Sequence, residues 1–248
     1  MSTKATALVS GGAKGIGIGL SRRLLKLGYR VVALYRSDEE SARAVVDELA
    51  SDDFEVRRSD VSDPRSVRAL ADYVLGTHGP VTVLVNNAGL NIDKPFLDIS
   101  DDDWNQVLAT NLSGPFYLTR ALAPAMIEAG GGSVVNVGST TAIRPRVNGA
   151  NYCASKAGLL HLTKCLALEL APKVRVNSLI PGMIESAEMR TRYRLDEPEY
   201  LAGLLDEIPQ GRIGSPEEMA DALEFLIGAG GAYITGQKLI VDGGQFMW

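Results

Sequence analysis

Residues 7–17 read ALVSGGAKGIG: a short apolar run leads directly into a turn with glycines at positions 11, 15 and 17. The pyrophosphate of a dinucleotide must come close to backbone amides at a helix N-terminus, where the helix dipole favours negative charge. A Cβ atom would block that approach, and the last glycine lets strand and helix pack closely. The motif predicts a dinucleotide cradle, with a ligand-free glycine turn as the alternative. Its residues are Gly11, Lys14, Gly15, Ile16 and Gly17.

Beyond this turn, the chain alternates between short apolar runs and longer amphipathic segments. The apolar runs cover 7–10, 31–35, 81–86, 133–137, 174–180 and 238–244, with a weaker one at 54–60. Helical spacing relates three sets between them: Leu20, Leu24 and Leu27; Val67, Leu70 and Val74; Trp104, Leu108 and Leu112. Nearly continuous apolar strands that alternate with helices predict a parallel sheet covered on both faces. We expect one α/β domain over residues 1–248, a Rossmann-type doubly wound sheet of about seven strands.

The composition narrows the classes of function. The chain has 248 residues, of which 46% are hydrophobic and 22% charged, as in globular proteins. Its net charge of −5 argues against nucleic acid as a partner. No apolar run has membrane-spanning length and no signal peptide is apparent, so a cytoplasmic protein that binds no membrane is expected.

The cysteines and histidines predict neither a disulfide nor a metal site. Cys153 and Cys165 would lie about 18 Å apart on one helix, too far for a disulfide, so free thiols are expected. His78 and His161 have no partners at metal-ligand spacing, and no metal is expected.

The end of the second predicted strand indicates which dinucleotide is bound. An acid there would bind the ribose 2′-hydroxyl of NAD, whereas an arginine suits the 2′-phosphate of NADP. The strand ends Tyr35-Arg36-Ser37, with no acid at its tip. Arg36 can make a forked contact to phosphate, Lys14 can reach the same group, and Ser37 can add a hydroxyl donor. This favours NADP(H), with ordinary surface charges as the alternative; the acidic residues 38–40 fit the first turn of the next helix.

Tyr152 and Lys156 stand four positions apart in NYCASK, residues 151–156. Positions i and i+4 share a helical face, about 5–6 Å apart at Cβ. A neighbouring positive charge favours phenolate, so we expect Lys156 to lower the pKa of Tyr152 towards the working pH of a general acid or base. Taken alone, a tyrosine on a helix is more often a packed aromatic.

Together these motifs resemble the short-chain dehydrogenase/reductase family over essentially the whole chain. The stretches that carry the resemblance are SGGAKGIG (10–17), Asp60-Val61, NNAG (86–89), Asn111, NVGS (136–139), YCASK (152–156), PG (181–182) and ITGQKLIVDGG (234–244). Within the family, residues 211–227 and 235–244 look most like 3-oxoacyl-[acyl-carrier-protein] reductases. The resemblance implies hydride transfer between a nicotinamide and a carbonyl carbon.

The resemblance also implies catalytic roles for four residues. Tyr152 would be the general acid in reduction and the base in oxidation, and Lys156 would bind the nicotinamide ribose. Ser139 would hold the substrate oxygen and stabilise its developing charge. Asn111, within a helix over 104–118, would perturb that helix and bind a water of a proton relay to the lysine.

Contacts to the adenine half of the cofactor are implied in the same way. Asp60 would bond the adenine amino group, and Val61 would add a backbone contact. Asn87, Ala88 and Gly89 would line the side of the adenine ribose.

At the nicotinamide end, the resemblance implies that Pro181, Gly182 and Ile184 flank the ring and hold its carboxamide. Ser186 and Ser10 stand where the family usually has threonine, and both keep the hydroxyl.

Two segments are expected to surround the substrate. Residues 183–212 correspond to the family's lid, and residues 142–150 form a second wall. Both carry arginines, which suggests an anionic or carrier-tethered substrate; alternatively these arginines are solvated or paired with Asp196, Glu197 and Glu199. The candidate substrate residues are Arg144, Arg146, Met183 and Met189.

Assembly is expected as a homotetramer or homodimer, because family members pair two long helices across a two-fold axis. Helices over 104–128 and 152–171 carry apolar residues beyond those that one sheet face covers: Phe116, Tyr117, Leu118, Leu159, Leu162 and Leu166. The apolar tail, residues 245–248, is expected at a subunit interface.

The leading hypothesis is an NADPH-dependent ketoreductase that acts on a 3-oxoacyl thioester or related ketone. Residues 128–133 lack the Arg or Lys that fatty-acid members often have, so a ketoreductase of secondary metabolism fits as well. One alternative is an NAD(P)-dependent dehydrogenase of sugars, polyols or cyclic alcohols. A second is a dinucleotide-sensing regulator, although such proteins typically lose the tyrosine or the lysine.

Overall fold

The computed structural model describes residues 4–247, and in that range seven strands form one parallel sheet. The strands are Thr6–Ser10 (β1), Arg30–Tyr35 (β2), Phe54–Arg58 (β3), Val81–Asn86 (β4), Gly132–Val137 (β5), Val174–Pro181 (β6) and Lys238–Val241 (β7). Their order across the sheet is β3-β2-β1-β4-β5-β6-β7, which confirms the predicted Rossmann-type fold. The order reverses between β1 and β4, and open α/β sheets bind ligands in the crevice at such a point.

Helices cover both faces of the sheet. They are Gly15–Lys26 (α1), Glu39–Leu49 (α2), Pro64–His78 (α3), Asp101–Leu108 (α4), Gly114–Glu128 (α5), Ala150–Leu170 (α6), Ala187–Arg192 (α7), Pro198–Asp206 (α8) and Pro216–Ile227 (α9). Asp38 caps α2 by accepting a hydrogen bond from the Ser41 amide at 3.1 Å, so the acidic run after β2 belongs to that helix as expected. Between residues 4 and 247, no helix is both long and apolar enough to cross a membrane.

The sheet separates two apolar cores. All five residues of β1 are buried, as expected of a strand covered on both faces. One core joins α1 and α9 to the sheet through Leu20, Leu24, Met219 and Leu223. The other joins α3 and α5 through Val67, Val74, Leu118 and Leu122. Each such buried side chain contributes about 1.5–3 kcal/mol, so these contacts fix the strand ends from which the functional loops leave.

The helix expected over 104–118 is interrupted. α4 ends at Leu108, and Ala109–Ser113 form a wider π-helical turn before α5 begins. The face that packs inward is also out of phase with the expected one: Val107 and Asn111 are fully buried, whereas Trp104 is 37% exposed. A π-turn adds a residue to the helical turn and re-aims the side chains around it, often at a functional site.

Other differences concern the last strand and the surface available for assembly. β7 ends at Val241, because Gly243 and Gly244 adopt φ values of +63° and +87° and turn the chain away. The weak run at 54–60 forms β3 at the sheet edge, where its polar residues meet water. Leu118 and Leu159, expected to contact another subunit, are each 1% exposed and belong to the interior of this chain.

Candidate active site

The glycine turn between β1 and α1 has the geometry of an anion cradle. Gly11 and Gly15 have φ values of +62° and +51°, which L side chains rarely adopt. A Cβ on Gly17 would lie 2.0 Å from the Gly11 carbonyl oxygen. α1 begins at Gly15, with Lys14 as a cap that makes no side-chain bond and no acid in the first turn. Its first amides are therefore free of side-chain partners and fit a pyrophosphate.

Ser10 and Asn87 hold this turn against the end of β4. The Ser10 hydroxyl accepts hydrogen bonds from the Asn87 and Ala88 amides, each at 3.0 Å. The side-chain amide of Asn87 donates to the carbonyl oxygens of Ser10 and Gly11, also at 3.0 Å. The Asn87 side chain thus fixes the cradle, and its predicted contact with the adenine ribose would come in addition to that task.

At the tip of β2, Arg36 and Ser37 are both exposed, as is Lys14 in the glycine turn. Among residues 4–247, no ion pair is formed by the Arg36 guanidinium or the Lys14 ammonium. The backbone of the tip is held by Arg58, whose Nε donates to the Arg36 carbonyl at 3.2 Å. The structure therefore leaves two cationic groups at the predicted position of the 2′-phosphate.

The turn after β3 is rigid. Asp60 Oδ1 accepts hydrogen bonds from the amide and the hydroxyl of Ser62, at 2.9 and 2.6 Å. Val61 is buried, and a Cβ on Gly114 would lie 2.9 Å from its Cγ2. Both bonds to Asp60 go to Oδ1, which fits the predicted use of the carboxylate towards an adenine amino group.

The predicted nicotinamide contacts lie where β6 ends. A Cβ on Gly182 would lie 2.5 Å from Asp242 Cα, so only glycine fits there. Ile184 is 5% exposed, so its backbone rather than its side chain is available to a carboxamide. The Ser186 hydroxyl caps α7 by accepting from the Met189 amide at 3.1 Å. Ser186 Cβ also lies 3.9 Å from a Cβ built on Gly15, which places the start of the lid beside the glycine turn.

Tyr152 lies in the first turn of α6, next to Ser139 at the end of β5. The Ser139 hydroxyl lies close enough to the phenol to favour its ionised form. The Ser139 oxygen also accepts from the amide and the hydroxyl of Thr141, at 3.2 and 2.9 Å. Asn151 Oδ1 accepts from the Tyr152 amide at 2.7 Å. These bonds fix the Ser139 hydroxyl and the backbone of Tyr152 next to each other.

The protonation of Tyr152 differs from the sequence-based expectation. Burial raises the pKa of Tyr152 above its usual value, although the Ser139 hydrogen bond and the charges of Arg192 and Arg146 act in the opposite direction. The expected lowering by Lys156 is wrong, because burial of the phenolate outweighs the favourable charges. Lys156 Nζ lies 5.8 Å from the centre of the Tyr152 ring and donates to the Val137 carbonyl at 2.8 Å.

Lys156 and Asn111 meet beside Gly89. Lys156 is 3% exposed, and burial lowers its pKa to about 8. The Asn111 side chain donates to the Leu90 carbonyl and Ser155 Oγ at 2.9 and 3.0 Å, and accepts from the Leu90 amide at 2.7 Å. A Cβ on exposed Gly89 would lie 3.7 Å from Asn111 Oδ1 and 3.8 Å from Lys156 Nζ. Asn111 thus anchors the π-turn, and the water of the expected relay stays a prediction.

The wall at 142–150 holds its two arginines differently. Arg146 donates to Asn91 Oδ1 at 3.0 Å and to Asp93 Oδ1 at 2.5 Å. The Arg144 guanidinium lies 5.8 Å from the centre of the Phe246 ring. Phe246, in the tail expected at a subunit interface, thus faces the wall of its own chain; Trp248 lies outside the described residues.

The lid arginines are paired within the lid, as the alternative interpretation expected for Asp196 and Glu197, whereas Glu199 forms no ion pair among residues 4–247. Arg190 bonds to Glu185 and Asp196 at 2.8 and 3.1 Å, Arg192 to Glu188 at 3.0 Å, and Arg194 to Glu197 at 2.6 Å. Met189 is 8% exposed and packs inside the lid, and its expected role as a substrate contact stays a prediction. Met183 lines a cavity of about 300 Å³ at the end of β7, together with Gln210, Arg212 and Asp242.

Known proteins resemble this chain over nearly its full length. Residues 11–245 match a family model described as enoyl-(acyl carrier protein) reductase. The chain is 36% identical over 242 residues to the 3-oxoacyl-[acyl-carrier-protein] reductase of Escherichia coli strain K12, covering 97% of each.

The chain belongs to the short-chain dehydrogenase/reductase family.

Two solved structures of this family resemble the fold closely. Actinorhodin polyketide ketoreductase with NADPH superposes with a TM-score of 0.91 at 37% identity, covering 98% of this chain and 97% of that one. A gluconate 5-dehydrogenase from Burkholderia cenocepacia, in complex with NADP and tartrate, gives 0.88 at 32% identity, covering 97% and 94%. The likeness to this oxidoreductase family therefore extends over the cofactor half and the substrate half of the chain.

Sequence reasoning missed residues that hold the dehydrogenase/reductase site together. Thr141 fixes the Ser139 oxygen, and Asn151 donates to the Ile92 carbonyl at 3.0 Å. Ser155 links the two catalytic elements, since it accepts from Asn111 and donates to the Tyr152 carbonyl at 2.7 Å. These are single polar residues without a spacing pattern, so only their proximity to the catalytic motif in the sequence could have singled them out.

Proposed function

We propose that this protein is an NADPH-dependent ketoreductase, which reduces a 3-oxoacyl thioester or a related ketone to an alcohol. The observation that carries the proposal is that the Ser139 hydroxyl lies beside the Tyr152 phenol, with Lys156 one turn along α6. Two hydroxyls held side by side can both donate to one carbonyl oxygen. A tyrosine that served only packing would need neither the serine nor the buried lysine.

The residues of this chain would orient the carbonyl and provide the proton, while a bound NADPH would supply the hydride. Ser139 donates to the substrate oxygen, since Thr141 already occupies its acceptor side. Tyr152 donates its phenolic proton to the same oxygen as negative charge develops there. Burial raises the pKa of Tyr152, so the phenol keeps the proton that it needs as the general acid of reduction.

Lys156 restores the proton that Tyr152 gives up. Its pKa, lowered to about 8 by burial, lets the ammonium release and regain a proton near neutral pH. The side chain lies between Val137 and the open backbone at Gly89, where ribose hydroxyls of a nicotinamide would fit. Asn111 positions the end of this path by tying the π-turn to Leu90 and Ser155.

NADPH is proposed in preference to NADH because of the tip of β2. Lys14 and Arg36 are exposed cations beside the anion cradle, and Ser37 adds a hydroxyl. A 2′-phosphate would pair with both charges, and charge-assisted hydrogen bonds of this kind are about twice as strong as neutral ones.

A panel of carbonyl substrates tests the proposal. NADPH consumption would be followed with acetoacetyl thioesters, free 3-oxoacids, cyclic ketones and keto sugars, with Tyr152→Phe as the matched control. We expect thioesters or apolar ketones to be reduced by the wild type alone. Tight NADPH binding without turnover of any carbonyl would favour the dinucleotide-sensing regulator instead.

A second candidate is a dehydrogenase of sugar acids or polyols. The likeness to the gluconate 5-dehydrogenase that binds NADP and tartrate supports it. Oxidation of gluconate or a polyol that is faster than reduction of every ketone in the panel would establish this alternative.

We further propose that the chain assembles as a homotetramer or homodimer and that a carrier protein can deliver the substrate. Exposed apolar residues on α5 and α6 support assembly: Phe116 is 38% exposed and Leu168 is 83% exposed. Light scattering coupled to gel filtration tests it, and a monomer mass at micromolar concentration would contradict it. Faster reduction of a carrier-bound thioester than of the matching coenzyme A thioester would support delivery by a carrier.

A further inference from the structure

Two loops in front of Tyr152 are joined to each other by hydrogen bonds. The first covers residues 90–95 and the second residues 146–151. The Asn148 carbonyl accepts from the Lys94 amide at 3.0 Å, and the Asn151 side chain donates to the Ile92 carbonyl at 3.0 Å. The third link is Arg146, whose guanidinium donates to Asn91 and Asp93. The backbone and side-chain links together leave this arginine little freedom.

The path of the Arg146 side chain depends on a glycine. A Cβ built on buried Gly149 would lie 3.0 Å from Arg146 Cζ and 3.2 Å from its NH1 atom. The guanidinium therefore lies flat over Gly149, the residue that precedes α6. From there its Cζ is 5.8 Å from the centre of the Tyr152 ring.

Several charges face Tyr152 from different elements. The lid contributes Arg192 and Glu188, which form an ion pair at 3.0 Å. Arg192 lowers the pKa of Tyr152, and Glu188 raises it. α6 contributes Lys156, whose ammonium is bound to Val137. β5 contributes the uncharged Ser139, and Arg146 itself faces Tyr193 and Cys153 as well as Asp93. Arg146 keeps its positive charge throughout the working range of pH, because a guanidinium does not lose its proton in proteins.

We propose, on the basis of the ketoreductase function above, that Arg146 is a positioning residue that acts through Tyr152 and not a ligand of the substrate. Asp93 and Asn91 hold its guanidinium against the first turn of α6, where the fixed positive charge stabilises the phenolate that proton transfer creates. The N-terminus of α6 acts in the same sense, because its dipole favours negative charge. Arg146, which the sequence suggested as a contact for an anionic substrate, would then act on proton transfer. Its charge is already paired with Asp93.

The first test is a spectroscopic pH titration that needs neither substrate nor cofactor. The ultraviolet absorbance of phenolate is followed in the whole protein, and the same titration of Tyr152→Phe is subtracted to isolate Tyr152. Arg146→Gln keeps the size and polarity of the side chain but removes the charge. We expect Tyr152 to ionise at higher pH in Arg146→Gln, while Arg146→Lys restores most of the wild-type curve.

Two further variants separate the effect of the Arg146 charge on the Tyr152 titration from a general effect on folding. Gly149→Ala changes no charge but displaces the guanidinium, so a smaller shift in the same direction is expected. Arg144→Gln removes a charge from the same loop and should leave the Tyr152 titration unchanged. An unchanged titration in both Arg146→Gln and Gly149→Ala would overturn the proposal, even if the ketoreductase assay succeeds.

The kinetic counterpart uses an uncharged ketone. For Arg146→Gln we expect kcat at pH 7 to fall roughly three- to tenfold with little change in KM, because the phenolate formed on proton transfer loses a stabilising charge. A large rise in KM confined to anionic substrates, with an unaltered titration, would show that Arg146 binds the substrate. These outcomes are distinct from failure of the proposed function, in which no ketone is reduced and the titration still shifts.

Discussion

The two ends of the cofactor crevice differ in how far their polar groups are committed to bonds within the chain. At the end that holds the candidate catalytic residues, Ser139 is hydrogen-bonded to Thr141 beside the Tyr152 phenol, and Lys156 is hydrogen-bonded to Val137. At the adenine end, Lys14 and Arg36 are exposed, and no ion pair among residues 4–247 holds either one. The first end is organised before any ligand arrives, whereas the second depends on the charge of the ligand itself. Substitutions at the first end should therefore lower kcat, whereas substitutions at the second end should weaken cofactor binding.

The largest effect is expected at the organised end. Ser139→Ala removes a donor to the substrate oxygen, so kcat should fall about 10²- to 10³-fold while NADPH affinity is kept. Steady-state kinetics on the best ketone of the panel measure it. Thr141→Val is the matched control, since it removes only the bond that orients Ser139 and should cost far less.

Lys156 gives a prediction for stability against pH. Burial lowers its pKa from 10.5 to about 8 in the folded chain, so between these values the unfolded state binds more protons. The free energy of unfolding should therefore rise with pH over this window, relative to Lys156→Met, by on the order of 3 kcal/mol. Urea unfolding at several pH values measures the difference. The exposed Lys164 on the same helix is the control, and a loss of slope in Lys164→Met equal to that in Lys156→Met would contradict the assignment.

At the adenine end the expected effect is smaller and selective. Arg36→Ala should weaken NADPH binding about ten- to a hundredfold and leave NADH binding nearly unchanged, because only the 2′-phosphate is lost as a partner. Titration of the two cofactors by fluorescence measures both affinities. Equal losses for NADPH and NADH would show that Arg36 does not contact the 2′-phosphate.

The smallest effect is expected in the lid, where ion pairs are exposed. Glu197→Gln breaks the pair with Arg194, which is half-exposed, and should lower the melting temperature by less than about 2 °C. Differential scanning calorimetry measures it. A larger loss would mean that the lid pairs stabilise the fold and do not merely shape the rim of the cleft.

The fold was predictable because its signal is spread over many residues. Alternating apolar runs and helical faces predict the sheet, and the glycine turn predicts where the crevice opens. The π-turn at Ala109–Ser113 was not predictable, since a one-residue expansion leaves the apolar periodicity almost unchanged.

Within the candidate site, the sequence could predict that the motif residues lie close together, but it could not predict their electrostatics. The spacing of Tyr152 and Lys156 placed both on α6. It could not show that burial is the largest influence on the pKa of the phenol, or that the Lys156 ammonium donates to the Val137 carbonyl. In the same way, the arginines of the lid and wall stand out in the sequence, whereas their partners Glu188, Glu197 and Asp93 become evident only once the loops are placed.

The most direct test compares wild type and Tyr152→Phe in one experiment that records both NADPH binding and NADPH consumption with a reducible ketone. The phenyl ring keeps the packing of α6 and loses only the hydroxyl that we propose as the proton donor. We predict an NADPH affinity within about twofold of wild type and a rate lower by about 10²- to 10⁴-fold. A variant that still reduces the ketone at a rate close to that of wild type would contradict the account.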